Sequence, residues 1–351
     1  MIRIRPGEFL GWGATVLLIA ACATAPAKPD VPAPVPPQTR VTPAPAPEAL
    51  AETFESDDFV VVFAKAGDTP ERLATRFLGD PARSWMIEEY NGASGLSPGQ
   101  EVVIPKRPWN LSGIEPSGFQ LVPILVYHNI GPQAKGRLVI AAKAFEEQMR
   151  YLKSQGYRVV SLRAFYDFIN LERQLPRKTV VLTFDDGYKA FLEHAYPVLK
   201  ELGFTATLFV YTDYVGAGRN ALNWDDLKKL EAEGFQIEAH SKSHSDLRRR
   251  PDESEPDYAR RMQAELEQPL AFFKRHLGRT SQILAYPYGA HDDELVDKVR
   301  QAGYVAGFSV RRQGNPSFVH PIKINRSQIY SEMSLSDFIK NLNVFSQEPI
   351  Q

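Results

Sequence analysis

The sequence predicts an α/β protein: alternating strands and helices closing into a barrel, preceded by a small strand–helix–helix–strand unit. Three observations predict it. Eight short apolar runs recur between Val122 and Ile324, and amphipathic stretches lie between most of them. A further unit, bounded by turn signals, occupies 57–106. Repeated strand–helix units imply a parallel sheet, and eight such strands favour closure over an open sheet.

At 351 residues the chain has room for one large domain and one small one. Hydrophobic residues at 43% and charged residues at 24% are ordinary for a soluble globular protein. Net charge is -1, and no cluster of Lys and Arg is interleaved with aromatics, so nucleic acid is excluded as a partner. The run Arg248, Arg249, Arg250 reads as a solvated turn. No repeat at a solenoid period is present.

Residues 1–21 carry Arg3 and Arg5, then an apolar run from Phe9 to Ala21, which is the layout of a secretory signal peptide. The run ends Ile19, Ala20, Ala21, Cys22, which resembles the lipobox of bacterial lipoproteins. Cys22 is the single cysteine, and the resemblance implies that it is lipidated and holds the protein at a membrane. Ala23 rather than Asp after the cysteine implies a periplasmic protein anchored to the outer membrane. Residues 22–56 are mostly Pro, Ala and small polar residues and read as a tether. In polyproline II at roughly 3.1 Å per residue, the Pro-rich part from Ala23 to Ala49 would reach on the order of 80 Å.

In the unit at 57–106, Phe59 to Phe63 reads as a strand and Pro70 to Phe77 as a helix capped by Thr69. Ala82 to Tyr90 is a second helix, stopped by Asn91 and Gly92, and Val102 to Pro105 a second strand. With Ala66-Gly67-Asp68-Thr69, Tyr90-Asn91-Gly92, Leu96 and Pro98-Gly99-Gln100, the unit resembles a LysM module. That resemblance implies binding to N-acetylglucosamine runs in peptidoglycan or chitin. A spacer with the same fold and no glycan affinity is the alternative.

Residues 107–120 form a connector, and the large domain spans 121–346. Its predicted strands are Val122 to Tyr127, Tyr157 to Val160, Thr179 to Phe184, Thr205 to Val210, Phe235 to Ala239, Ile283 to Tyr286, Tyr304 to Phe308 and Ile322 to Ile324. Predicted helices include Phe145 to Leu152, Ala190 to Leu202, Trp224 to Ala232, Tyr258 to His276 and Asp292 to Ala302.

The polar residues follow strand ends. His128 follows the first strand, Asp185 and Asp186 the third, His240 and His244 the fifth, and Tyr286-Pro287-Tyr288-Gly289 the sixth. Carboxyl ends of parallel strands share one face of a barrel, so these residues converge there. Two imidazoles four apart with one carboxylate supply three ligands for Zn²⁺ and leave a position for water. Two adjacent carboxylates repel each other unless a cation separates their roles.

Thr183-Phe184-Asp185-Asp186-Gly187 together with His240-Ser241-Lys242-Ser243-His244 resembles the NodB-type polysaccharide deacetylases, carbohydrate esterase family 4, over 122–342. The resemblance implies an irregular (β/α) barrel, Asp185 as general base, and a divalent metal, most simply Zn²⁺, on Asp186, His240 and His244. It implies removal of N-acetyl groups from a polysaccharide containing N-acetylglucosamine. Ala285-Tyr286-Pro287-Tyr288 stands where most of the family has Arg-Pro-Pro-Tyr, so the Arg that orients the base is missing there. The Tyr288 backbone, with Tyr286, is the candidate for binding substrate or oxyanion. The usual late Leu-x-His acid is absent too. Val126-Tyr127-His128-Asn129 resembles a segment of the poly-β-1,6-N-acetylglucosamine deacetylase branch, which makes His128 the candidate acid and His320 its rival. His194, His276 and His291 read as structural or solvent-facing. A glycosidase would leave the His pair without a role, and its carboxylates would flank the bond rather than adjoin in sequence. An inactive barrel in a peptidoglycan-binding lipoprotein is the remaining alternative.

Overall fold

The structure, a computed structural model, describes residues 53–350; the predicted signal peptide, Cys22 and most of the tether lie outside them. The first elements are β1 (Thr53–Glu55), β2 (Phe59–Phe63), α1 (Pro70–Leu78), α2 (Ser84–Asn91) and β3 (Glu101–Pro105). The Thr69 side chain accepts from the Arg72 N–H and Pro70 opens α1, as its residue types require. The sheet is antiparallel, in the order β1-β2-β3. Val60, Val62, Leu73, Ile87, Val102 and Ile104 form its core. The tether predicted through residue 56 ends sooner, because Thr53–Glu55 pairs with Val60–Val62. Three residues are too few to read as a strand; the open edge of β2 makes them one.

The large domain contains β4 (Ile124–Tyr127), β5 (Arg158–Val159), β6 (Thr179–Asp186), β7 (Thr207–Val210), β8 (Gln236–Ala239), β9 (Ile283–Ala285), β10 (Ala306–Phe308) and β11 (Ser327–Gln328). Its strands are parallel, in the order β10-β9-β8-β7-β6-β4-β11. The segment 322–328 closes the ring. Ile324 bridges to Phe308 of β10, and Ser327 and Gln328 pair with Leu125 and Val126 of β4. Among the described residues seven strands therefore make an irregular barrel. The predicted strand Tyr157 to Val160 is not a stave: only Arg158 and Val159 pair, against Thr179 and Val180. β6 starts two residues before its register with β4 begins at Val181, and β5 fills that gap.

All eight residues of β6 are buried. Val180, Leu182 and Phe184 face the helical layer. Val181 faces the interior with Ile124, Phe209, Ile283, Phe308 and Ile324. Strand alternation puts Thr183 and Asp185 on that same inner side. Two predicted helices are interrupted by a wide π-turn, at Phe191–Ala195 and Gln263–Glu267, each followed by a helix with proline near its start (Pro197 and Pro269). Proline lacks the N–H and crowds the preceding turn, so the helix widens there.

The small unit and the barrel belong to one compact unit. They meet where β5 and β6 begin. Arg158 pairs with Glu88 at 3.3 Å, the Arg177 N–H donates to Glu89, and Gln174 accepts from the backbones of Trp109 and Asn110. The Trp109 ring lies against Trp85 and Tyr90. Asp185 is toward the far end of β6, on the order of 20 Å from its start at about 3.3 Å per residue.

One carboxyl is buried inside the barrel below the strand ends. Glu238 accepts from the Ser281 hydroxyl at 2.5 Å, and that same oxygen accepts the Ala239 N–H at 3.1 Å. Burial, only partly offset by Arg279, pushes its pKa up to about 7. A raised carboxyl pKa means the folded state holds a proton that the unfolded state releases, so stability falls as pH rises from about 4.5 to about 7. Glu238→Gln should flatten that slope and stabilise the protein above pH 7 by on the order of 2 kcal/mol. Urea unfolding at pH 5 and pH 8 checks this; parallel curves for both proteins would refute it.

Candidate metal centre and active site

Residues that normally avoid positive φ adopt it around one point. Asp186 (φ 75), Ser241 (φ 68), His244 (φ 61) and Tyr288 (φ 61) all do so at strand ends. Such strain persists where surrounding contacts over-determine it, typically at functional sites. At Asp186 it has a direct effect. Two consecutive strand residues point to opposite faces, and the left-handed turn at Asp186 brings both carboxylates to one place. Gly187 (φ 85) completes the turn, and a Cβ there would sit 3.0 Å from Val210.

His240 and His244 come from the loop after β8. The Nδ1 of His240 lies 2.8 Å from the Ala285 carbonyl, which fixes the proton on Nδ1 and turns Nε2 into the site. The Ser241 hydroxyl accepts the His244 N–H at 3.0 Å. Glu265, buried on a neighbouring helical element, accepts the Lys242 and Ser243 N–H groups and the Ser243 hydroxyl. Its role was not legible in the sequence, because a single Glu in an amphipathic helix carries no signal.

Asp186 Oδ1 lies 3.3 Å from His244 Nε2 and 3.6 Å from His240 Nε2. A tetrahedral Zn²⁺ with bonds of about 2.0–2.2 Å needs ligand separations of roughly 3.3–3.5 Å. Asp186 Oδ1 is also buried without a hydrogen-bond partner, an orphan that a cation would satisfy. The three residues fit a divalent metal. Burial pushes His240 down to about 3 and lowers His244, so both imidazoles are neutral, the form that ligates. Burial raises Asp186 to about 6, with Asp185 adding to it and His128 opposing.

Asp185 has a different environment. Burial alone would raise its pKa, but the Arg326 guanidinium brings it down to about 2. Arg326 is fully buried and bidentate: Nη1 donates to Oδ1 at 2.6 Å and Nη2 to Oδ2 at 2.7 Å. Its Nε donates to the Ser309 carbonyl and Nη1 also to Thr183 Oγ1, while the guanidinium lies over the Phe209 ring. Asp185 therefore has an orienting Arg, missing from Ala285 to Tyr288 and supplied by the closing segment. An arginine two residues beyond a predicted strand was the available signal.

The remaining candidates divide. His128 lies close enough to both carboxylates to favour their charged forms, and its Nδ1 is buried without a partner. His320 is not among the groups acting on either carboxylate; its ring meets Arg300 and the Ile322 N–H instead. Tyr288 is 65% exposed and its ring centroid is 4.7 Å from that of His244. Tyr286 is not a substrate residue. It is fully buried in the outer layer, donates to the Ile322 carbonyl at 3.0 Å and stacks on His291. Strand alternation explains this, since Ala285 takes the inward position and Tyr286 the outward one.

An ionised carboxylate beside a His-His-Asp set on one barrel face is an arrangement chemically suited to metal-assisted hydrolysis. Residues 172–307 match the family described as polysaccharide deacetylase. His128 and Arg326 lie outside the matched span. The chain is 28% identical over 186 residues to the Bacillus subtilis protein YxkH, covering 53% of this chain and 63% of that one. It is 26% identical over 187 residues to a Staphylococcus aureus poly-β-1,6-N-acetyl-D-glucosamine N-deacetylase, covering 50% and 62%. The chain thus spans a little under two thirds of the length of these relatives. Among solved structures, IcaB from Ammonifex degensii superposes with a TM-score of 0.57 at 25% identity, over 64% of this chain and 98% of that one.

Removing one partner of a buried ion pair leaves the other uncompensated, at a cost of about 3–5 kcal/mol. Arg326→Met should destabilise by about that amount, and Asp185→Asn in the same chain should recover much of the loss. Chemical denaturation of the single and double variants measures the coupling. Additive losses would show that the two side chains are not paired.

Proposed function

We propose that this chain is a metal-dependent hydrolase that removes N-acetyl groups from N-acetylglucosamine residues of a cell-envelope or exported polysaccharide. One observation carries the reading: Asp185, held ionised by Arg326, adjoins three metal-ligating side chains on the barrel face where strands end. Held by Asp186, His240 and His244, a divalent ion, Zn²⁺ by the chemistry of the donors, would polarise the acetamide carbonyl and make water more acidic.

The chain's own groups divide the proton work. Arg326 fixes both oxygens of Asp185, so its remaining lone pairs are aimed when it takes a proton from the attacking water. His128, across the same face, donates to the glucosamine nitrogen as acetate leaves. Tyr288 covers His244, with its backbone beside the place where the carbonyl oxygen gains charge. The likeness to a poly-β-1,6-N-acetyl-D-glucosamine N-deacetylase supports that polymer as substrate, with peptidoglycan as the second choice.

The strand–helix–helix–strand unit, read as a LysM-like module, would hold peptidoglycan at the opposite end of the barrel from the site. Lipidation of Cys22 would anchor the protein to the outer membrane from the periplasmic side. No helix among the described residues is long and apolar enough to cross a membrane.

Acetate should be released from β-1,6-linked N-acetylglucosamine oligomers, lost on chelation and restored by Zn²⁺. Asp185→Asn should lower kcat by about 10³-fold, and His128→Ala by about 10²-fold with loss of the limb of the pH profile that reports the acid. Metal binding at full occupancy with no acetate from any N-acetylglucosamine oligomer would leave only a binding protein.

A further inference from the structure

The loop after β7 places an aromatic ridge beside the metal-ligating residues, and the proposed chemistry makes no use of it. Tyr211 lies 5.2 Å, ring centre to ring centre, from His244. Tyr214 stacks on Tyr211 at 5.2 Å with the planes 17° apart, and Tyr188 meets Tyr214 edge-on at 5.7 Å. Tyr188 lies close enough to Asp186 to favour its charged form. All three rings are half-buried rather than enclosed, unlike the phenylalanines of the core.

The ridge is braced. The Thr212 N–H donates to the Ser241 carbonyl and the Asp213 N–H to the Lys242 carbonyl, which ties the β7 loop to the loop carrying both histidines. Between these loops Lys242 Nζ contacts both Asp213 oxygens, at 2.8 and 2.9 Å, with both side chains partly exposed. Half-buried aromatic rings with a polar, charge-balanced rim match one class of ligand well. A pyranose ring offers a face of C–H groups bounded by hydroxyls, and it needs a platform below and hydrogen-bonding groups beside it.

We propose that Tyr188, Tyr211 and Tyr214, with Asp213 and Lys242 at their edge, form a subsite for a neutral sugar ring adjacent to the one that reacts. The subsite makes the protein select for chain length: an oligomer that reaches the ridge is held in register, and a shorter one is not. This rests on the deacetylase reading above for the identity of the reacting ring. The ridge itself is already set before ligand arrives, so binding there orders little further.

The test compares kcat/KM of the full chain on a β-1,6-linked N-acetylglucosamine pentamer and dimer, for Tyr214→Leu and Tyr214→Phe. Leucine keeps apolar volume without a flat face, and phenylalanine keeps the face. The pentamer-to-dimer ratio should fall about tenfold in Tyr214→Leu and stay within about twofold in Tyr214→Phe. An unchanged ratio in Tyr214→Leu, or an equal fall in both variants, would overturn the subsite. Calorimetric titration of the pentamer separates this inference from the enzymatic reading. If the unaltered chain releases no acetate, the enzymatic reading fails. Pentamer binding weakened by Tyr214→Leu but not Tyr214→Phe still upholds the subsite, and binding indifferent to Tyr214, or none, overturns it.

Discussion

The buried pair between Arg326 and Asp185 is the constraint on which the rest of the site depends. A guanidinium with no exposure to water is tolerated only when its donors are satisfied, and here Asp185, Thr183 and Ser309 together accept from three of its nitrogens. The same contacts close the barrel, because Arg326 lies between Ile324, which bridges to β10, and Ser327, which pairs with β4. Closing the ring and setting the charge of Asp185 are one structural event. With Asp185 locked in its anionic form, Asp186 carries the conflict of two adjacent carboxylates, which adds to the burial that already raises its pKa. A divalent cation at Asp186 would resolve it.

Local strain serves the same arrangement. The left-handed residues at Asp186, Ser241, His244 and Tyr288 each depart from the regular path that their neighbours would dictate. They turn side chains from three separate strand ends toward one point. The contacts that hold them there come from outside the loops: Ala285 orients His240, and Glu265 clamps the backbone after Ser241. Rigid support of this kind keeps ligands in place before a metal or substrate arrives.

The two ends of the barrel carry different surfaces. The small unit is fixed at the end where β5 and β6 begin, through Glu88, Glu89 and the ring of Trp109. The tyrosine ridge and the four site residues occupy the end where strands finish. A glycan contact at one end and a reaction at the other would let the protein sit on one polymer while working on another.

Much of this was legible in the sequence, for a definite reason. Asp185, Asp186, His240 and His244 follow apolar strands directly, and a parallel barrel forces such positions onto one face whatever the details of closure. The strand–helix–helix–strand unit was equally readable, because Thr69, Pro70 and the glycines at its turns are local signals. Tertiary structure decided what depends on distant pairing. The second predicted strand, Tyr157 to Val160, became the short β5 under β4, since register rather than propensity sets which runs are staves. Tyr286 turned outward because its neighbour Ala285 took the inner position. Arg326 became the partner of Asp185 across 141 residues, a contact that no spacing announces, because it exists only when the ring closes.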